Sequence, residues 1–261
     1  MILGAGMGAL LLLAAPMAKT AQPIQPGGVA SVAFAPPLDR PLAYRVTTRR
    51  MGRDGTMLSF SLVYDLNWQR VGRGYRLRAL LTRIDSDAKP HVTRPLTAML
   101  EPLVGQEMSY LVAEDGSHID LADPDRLWDR VLARTETAGA TAKPGEAKQM
   151  ASLLAALPAA ERDRLVTADI RALIARANGG AMAGPGSDVR DQNGLRTITR
   201  TEQAPMASAA GPLEIEMLWT IDTATGLVVR EQRRSWIAGR NGAARTLVEE
   251  RERALSEVSA G

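Results

Sequence analysis

Apolar and polar side chains alternate along residues 56–69, and this run constrains the fold more than any other feature of the chain. Its apolar members occupy every even position: Leu58, Phe60, Leu62, Tyr64, Leu66 and Trp68. A period of two sends successive side chains to opposite faces of an extended strand. We therefore predict a long strand that has one face on a core or a ligand and the other toward water.

Short turns separate this run from similar segments on either side. The first three segments in sequence form an antiparallel meander, because short turns connect neighbouring antiparallel strands. Within residues 75–85 the apolar phase shifts, which predicts a β-bulge near Leu80. The neighbouring strands are predicted at 42–46, 75–85, 108–112 and 119–121.

The middle of the chain is predicted to be helical. Apolar residues recur at helical spacing over 123–135, 144–157 and 159–177, and such stripes are usually packing surfaces. Residues 179–194 are rich in Gly, Pro and Asp and carry no period, so we predict a mobile loop there. The helical insertion is expected to span residues 123–178.

The last third of the chain returns to alternation, with strands predicted at 195–202, 213–222, 227–238 and 245–255. The final two are unusually charged, and antiparallel pairing would set opposite charges across from one another. The residues concerned are Arg230, Arg233 and Arg234 on one strand and Glu249, Glu250 and Glu252 on the other. A helix from Ala244 to Val258 is the competing prediction, because Glu, Arg, Ala and Leu are good helix formers.

The N-terminal segment has its own composition. Met1 to Ala18 carry no charge, include four consecutive leucines and end in small residues before Lys19. This pattern is typical of a secretory signal. We predict a signal peptide over residues 1–21, or an N-terminal membrane anchor if it is uncleaved, and therefore a periplasmic or otherwise exported protein. Residues 22–41, rich in Pro and Gly, are predicted to be a linker, which leaves a single α+β domain over 42–258.

Composition excludes several kinds of chemistry. The chain has no cysteine and only two histidines, His91 and His118. Structural zinc fingers, iron–sulfur clusters and thiol nucleophiles are excluded, and histidine-based triads are disfavoured. The sequence lacks the Gly-x-Ser-x-Gly elbow, the His-Glu-x-x-His motif and a phosphate-binding loop. We expect no catalytic residues, no metal, no cofactor and no nucleic-acid partner.

Charge is distributed unevenly along the chain, although the formal net charge is only +3. Basic residues exceed acidic ones over 40–94, whereas acidic residues exceed basic ones over 95–135. The basic segment 40–94 would attract an anionic envelope polymer or another envelope protein. Alternatively, the two segments complement each other within one fold.

One hairpin carries a family resemblance. Residues Trp219 to Arg230, with the sequence WTIDTATGLVVR, resemble a hairpin of LolA-like periplasmic proteins. That family has a hydrophobic strand, Asp-x-x-Thr-Gly-Leu and then a proline, where this chain has Val228. The order of signal, meander, helices and further strands is also similar. The resemblance implies a curved, half-barrel-like antiparallel sheet with helices covering one face, and it implies binding of lipids or lipoproteins without chemistry.

These features lead to a functional hypothesis. Most aromatic residues lie on the apolar phase of predicted strands, where a ligand pocket could form. We expect a noncatalytic exported protein that binds a lipid, an acyl chain or a lipoprotein on the concave face of its sheet. Two alternatives stay open: the rings fill a core, or the protein is an envelope scaffold without a small ligand. The predicted ligand-binding residues are Tyr44, Phe60, Leu62, Tyr64, Trp68, Met217 and Trp219. We expect five of them on the same face of one sheet: Phe60, Tyr64, Trp68, Met217 and Trp219.

Overall fold

The computed structural model describes residues 32–52, 54–89, 97, 99–141, 152, 154–182, 184–204, 212–237 and 244–258. The helices are α1 (Pro124–Thr141), α2 (Ala159–Ala172) and α3 (Ala175–Met182), and a 3-10 turn lies at Glu101–Leu103. The strands are β1 (Leu42–Met51), β2 (Met57–Val71), β3 (Gly74–Ser86), β4 (Glu107–Val112), β5 (Ile119–Leu121), β6 (Asp188–Gln192), β7 (Leu195–Ala204), β8 (Leu213–Asp222), β9 (Val228–Ile237) and β10 (Thr246–Glu257).

The strands form one antiparallel sheet in the order β5-β4-β3-β2-β1-β10-β9-β8-β7-β6. Strands β1 to β5 make one meander and β6 to β10 another. The two meanders meet where β1 pairs with β10, from Leu42 opposite Glu257 to Arg50 opposite Glu249. The predicted α+β class, with a half-barrel-like sheet and helices, is confirmed. Residues 246–257 are a strand, so the helical alternative for this segment is wrong.

One face of the sheet, which we call the inner face, packs against the helices. On β2 its residues Tyr64, Leu66 and Trp68 are buried, as the alternation predicts, and Phe60 and Leu62 are partly buried. The register also follows one row across the sheet: Phe60 lies opposite Thr48 and Thr48 opposite Arg251. The row continues from Arg251 to Arg233 and from Arg233 to Met217. Phe60 and Met217 therefore share the inner face, as predicted.

Helix α2 crosses the inner face from β4 to β9. The Tyr110 hydroxyl donates to the carbonyl of Val166 at 2.8 Å, and the Tyr44 hydroxyl donates to the carbonyl of Asp169 at 2.9 Å. The backbone N–H of Val228 then donates to the carbonyl of Leu173 at 2.8 Å. This last bond ties the end of α2 to the start of β9.

The single helix predicted over 159–177 is wrong, because the structure divides it. Ile174 forms an isolated antiparallel bridge with Leu227, and the N–H of Ala175 donates to the carbonyl of Gly226 at 3.2 Å. Backbone groups bonded to the sheet are not available for the helical ladder. The chain therefore breaks at residues 173–174 and resumes as α3.

Residues 179–194 are not the loop that the sequence predicted. They contain the end of α3 and strand β6, which pairs with β7 from Asp188 opposite Thr199 to Gln192 opposite Leu195. Most β6 side chains are exposed. The strand therefore lacks the alternation of apolar and polar residues by which a half-buried strand is recognised in sequence. Asn193 and Gly194 both have positive φ, 52° and 75°, at the turn between β6 and β7. An Asn-Gly pair of this kind is a favoured hairpin turn.

The sequence also predicted a β-bulge, a linker, an N-terminal signal or anchor and a helix at 144–157. The β-bulge expected near Leu80 occurs at Thr82, which the register skips between Leu81 and Arg83. Residues 32–41 of the expected linker pack on the domain, because Phe34 is 8% exposed and contacts Trp68. The predicted N-terminal signal or anchor, and most of the helix predicted at 144–157, lie outside the described residues. No helix among the described residues has both the length and the apolarity to span a membrane.

Candidate functional site

Four of the predicted ligand-binding residues are packed in cores. Tyr44, Tyr64 and Trp68 belong to the larger core under α1 and α2, and their exposed fractions are 1%, 7% and 0%. Trp68 meets the edges of Phe34 and Tyr75, with ring centroids 5.6 and 6.3 Å away. These rings are therefore enclosed by protein.

The fourth packed residue lies in a separate, smaller core. Trp219 is 6% exposed and packs with Met182 and Ile198 beneath α3. Met217 is only partly buried at the border of this core. The inner face thus holds two apolar clusters, one at each end of the helical layer.

The remaining predicted residues lie where the inner face is less enclosed. Phe60 and Leu62 are partly buried and pack against the larger core together with Ile84, which lies opposite Leu62 on β3. We call Phe60, Leu62 and Ile84 the apolar strip. The predicted set is thereby divided: Phe60, Leu62 and Met217 are partly exposed, whereas the four aromatic residues above are at most 7% exposed.

A charged stripe separates the two apolar clusters on the inner face. We define it as five side chains of β9 and β10, which the register sets in adjacent rows: Glu231, Arg233, Glu249, Arg251 and Arg253. The stripe lies between Val46 and Thr48 of β1 and Trp219 and Met217 of β8. Charged side chains at such a position need partners, because burying an unpaired charge is costly.

Asp169 of α2 supplies the first partner. Its Oδ1 accepts hydrogen bonds from Nε and Nη2 of Arg253 at 3.1 and 2.8 Å. Glu231 accepts from Nη1 of Arg253 at 2.6 Å. The side chains of Asp169, Arg253 and Glu231 are 11%, 11% and 12% exposed. Burial would lower the pKa of Arg253, but the charges of Asp169 and Glu231 outweigh it and raise that pKa. The triad is a closed ion-pair network that holds α2 on the sheet.

The outer end of the stripe is more open. Nη2 of Arg251 donates to Asp169 at 2.5 Å, yet the Arg251 side chain is 36% exposed. Its Nε is buried and has no hydrogen-bond partner among the residues that the structure describes. Arg233 lies directly opposite Arg251, is 38% exposed and reaches Glu249 at 3.3 Å. Glu249 also accepts from Arg50 at 2.6 Å.

Sequence reasoning missed the centre of this network. It predicted opposite charges across β9 and β10, and the pairs Arg230–Glu252, Arg233–Glu249 and Arg234–Glu250 are present at 2.8, 3.3 and 2.9 Å. It did not single out Asp169, Arg251 or Arg253. One signal was available, because Asp169 interrupts the apolar face of α2 between Val166 and Ile170, which are both buried.

Two clefts lie at the β5 edge of the sheet. One, of about 460 Å³, opens between β5 and α2 beside Asp163 and Arg171. The other, of about 390 Å³, opens between β4 and α1 beside Glu107 and Arg130. Both mix acidic and basic side chains. In the part of the chain that the structure describes, no three His, Cys, Asp or Glu side chains are grouped to hold a metal.

The basic segment 40–94 is partly neutralised within the fold. Arg78 is paired with Glu107, and Arg70 reaches Glu114 at 2.8 Å, so two bridges join this segment to the acidic segment 95–135. Arg49 reaches Glu250 of β10 at 3.2 Å. These contacts are the internal charge complementarity that the sequence offered as an alternative to an anionic partner.

Comparison with known proteins gives no family for the chain. No protein-family model matches it, and no curated protein is significantly similar to it.

Proposed function

We propose that this protein is a noncatalytic, exported binding protein that holds an acyl-containing amphiphile, such as a lipid or the lipid part of a lipoprotein, on its inner face. The observation that carries the proposal is the apolar strip beside the charged stripe on one face of the sheet. An amphiphile has the same two parts, an apolar chain and a polar head.

The accessible part of the inner face is the place for the ligand. Tyr44, Tyr64 and Trp68 are enclosed, so a chain that reached them would have to displace the groups packed on them, such as α2 at Tyr44 and Phe34 at Trp68. Phe60, Leu62 and Ile84 already have accessible surface next to the core. Covering apolar surface contributes about 25 cal/mol per Å², or about 0.8 kcal/mol per methylene group. Several methylene groups along the strip would thus give measurable affinity.

Two sequence features support export of the protein and its relation to LolA-like proteins. The uncharged run Met1 to Ala18 is typical of export. The hairpin at 219–230 resembles that of LolA-like proteins, and the sheet with helices over one face is the architecture that this resemblance implies. We include a relation to LolA-like proteins in the proposal on these grounds.

Native mass spectrometry of gently purified protein, followed by solvent extraction, tests the proposal. We expect the wild-type chain to retain acyl-containing material and Phe60→Arg to lose most of it. An arginine there would place a charge in the apolar strip, which is costly without a partner. Trp68 is unsuitable for this test, because it is 0% exposed and its replacement would unfold the core.

Leu111→Arg is the matched control. Leu111 lies on the opposite face of the sheet and is 47% exposed, so this substitution adds the same charge away from the strip. Both variants should remain folded, Phe60→Arg with a lowered melting temperature because Phe60 packs against the larger core, and only Phe60→Arg should be depleted of ligand. Wild-type protein that carries no acyl material, and takes up none from vesicles, would contradict the proposal.

A second function is favoured by one observation. The aromatic residues Tyr44, Tyr64 and Trp68 are buried, as in a core that holds no ligand. An envelope scaffold or interaction protein without a small ligand would have such a core, and it would dock an anionic polymer or a protein through the exposed arginines of 40–94. Empty protein in the mass spectrum would support this function.

A further inference from the structure

We propose that Arg233 and Arg251 form a site for a phosphate-class anion, the head group of the amphiphile that the proposed function places on the inner face. This inference rests on the proposed function for the acyl part of the ligand. The anion site itself is argued from the two arginines and their neighbours.

The first argument is the register. Arg233 and Arg251 are directly opposite each other on neighbouring antiparallel strands. Like charges at such a position destabilise a sheet. A bound anion between the two guanidinium groups would convert this repulsion into two charge-assisted contacts.

The second argument is the unused hydrogen-bonding capacity of Arg251. A guanidinium group has five N–H donors, and Asp169 accepts from Nη2 of this one. Within the described part of the chain, the Nε of Arg251 is buried without a partner, which is costly for a polar group. Phosphate oxygens match the fork of a guanidinium group and could accept from two nitrogens at once.

The third argument is the contrast with Arg253. That side chain is 11% exposed, and Asp169 and Glu231 engage Nε, Nη1 and Nη2. It is therefore a structural member of the network. Arg251 and Arg233 are on the same face but are 36% and 38% exposed, so a ligand could approach them.

The acidic neighbours leave room for the anion. Glu249 reaches Arg233 at 3.3 Å but Arg50 at 2.6 Å, so the closer partner of Glu249 is Arg50. An anion that replaced Glu249 at Arg233 would leave Glu249 paired. Asp169, the partner of Arg251, also accepts from Arg253 and would remain paired with it.

The position of the pair also fits an amphiphile. Along the cross-strand row, Phe60 lies on one side of the two arginines and Met217 on the other, with Thr48 between Phe60 and Arg251. A head group on the arginines would therefore place its chain along the apolar strip or toward Met217. Both directions keep the chain on the inner face.

Isothermal titration calorimetry with three probes tests the site: dodecyl phosphate and dodecyl maltoside, both below their critical micelle concentrations, and inorganic phosphate. We expect the wild-type chain to bind dodecyl phosphate about tenfold or more tightly than dodecyl maltoside. Arg233→Gln should abolish this preference while dodecyl maltoside binding stays unchanged. Arg251→Gln should also abolish the preference. Because Arg251 donates to Asp169 of α2, its loss would also disturb the ion-pair network, so Arg233→Gln is the more specific test.

Arg230→Gln is the matched control. Arg230 is on the same strand, faces the opposite side of the sheet and is also paired with a β10 carboxylate, Glu252 at 2.8 Å. It should keep the wild-type preference. Equal binding of the two dodecyl probes, unchanged in Arg233→Gln, would overturn the anion site and leave the proposed function standing.

The remaining outcomes also separate the two proposals. Inorganic phosphate that binds as tightly as dodecyl phosphate, and is lost in Arg233→Gln, would support the anion site as a free-phosphate site and contradict the acyl part of the proposed function. Binding of none of the three probes by the ligand-free chain would overturn both.

Discussion

At the scale of single residues, the turn between β8 and β9 shows how a short motif fixes a backbone. Asp222 accepts a hydrogen bond from the N–H of Ala224 at 2.9 Å and another from the Thr225 hydroxyl at 2.9 Å. Aspartate side chains favour turns by bonding the backbone two residues on. Gly226 follows with φ of 71°, which glycine adopts without a steric penalty. Asp222, Thr225 and Gly226 therefore have structural roles in this turn.

Gly226→Ala should destabilise the protein more than an ordinary left-handed glycine replacement. A Cβ at this position would overlap the carbonyl oxygen of Ala33 and lie 3.1 Å from Cα of Phe34. Gly194, the control, has φ of 75° but nothing within 4 Å of its Cβ position. We expect Gly194→Ala to cost about 1–2 kcal/mol and Gly226→Ala at least about 1 kcal/mol more, measured by denaturant unfolding. Equal losses would show that residues 33–34 move aside freely.

At the scale of elements, α2 is fixed to the sheet by polar groups as well as by its apolar face. Val166 and Ile170 are buried in the larger core. The hydroxyls of Tyr44 and Tyr110 donate to backbone carbonyls of the helix. Burial raises the pKa of both hydroxyls well above the ordinary value of 10.0, so they remain donors across the physiological range. Asp169 adds the link to β10.

Asp169→Asn should loosen α2 selectively. The substitution keeps the shape of the side chain but removes its negative charge, which both Arg253 and Arg251 contact. Breaking a buried ion pair from one side costs about 3–5 kcal/mol, and the Asp169 side chain is 11% exposed. Relative to the wild type, we expect amide hydrogen exchange to accelerate more in α2 and α3 than in β1, β2 and β3.

Glu161→Gln is the control on the same helix. Glu161 is 56% exposed and 3.8 Å from Arg164, so its loss should change stability by at most about 0.5 kcal/mol. If α2 in Asp169→Asn stays as protected as the strands, the network does not hold the helix.

At the scale of the whole molecule, the first and last strands join the two meanders into one open sheet. Arg49 of β1 donates to Glu250 of β10 across a separation of 201 residues. Glu250 also accepts from Arg234 and Gln232 at 2.9 and 2.8 Å. Contacts of such sequence separation are slow to form. The two meanders thus become one sheet only after both ends of the domain have been brought together.

Acid should destabilise the whole fold. Arg78 lowers the pKa of Glu107, and Arg196 lowers that of Asp191. For Glu250, burial would raise the pKa, but Arg234 and Arg49 outweigh it and lower it. Each folded-state pKa lies below the ordinary value, 4.5 for Glu and 3.8 for Asp. Their contribution is therefore complete above those values and is lost as the pH falls through the folded-state pKa.

Circular dichroism melting curves from about pH 7 to about pH 3 measure this effect. We expect a nearly constant melting temperature down to pH 4.5, the ordinary Glu value, and a fall below it. The melting temperature of Glu250→Gln should be lower than that of the wild type at about pH 7 and should fall less steeply in acid. A melting temperature that is unchanged or rises in acid would contradict the ion pairs.

Much of the fold could be predicted from sequence, because alternation and turn residues act within a few neighbours. The alternation of 58–68 predicted β2 and its buried face, and the charges of 230–252 predicted the pairing of β9 with β10. The candidate site was predicted only in part. Phe60, Leu62 and Met217 keep accessible surface, but Trp68 is closed off by Phe34, a residue of the expected linker.

By itself, the sequence determined most of the strands, though not β6, and which of their faces turns inward, because the period of side chains along one segment is a local property. Only the tertiary structure decided that β1 lies beside β10, that the helical segment breaks at 173–174 to bond with residues 226–228, and that Asp169 meets Arg251 and Arg253. Each of these depends on groups far apart in the chain, whose hydrogen-bonding and charge needs can be met only after the sheet has brought them together.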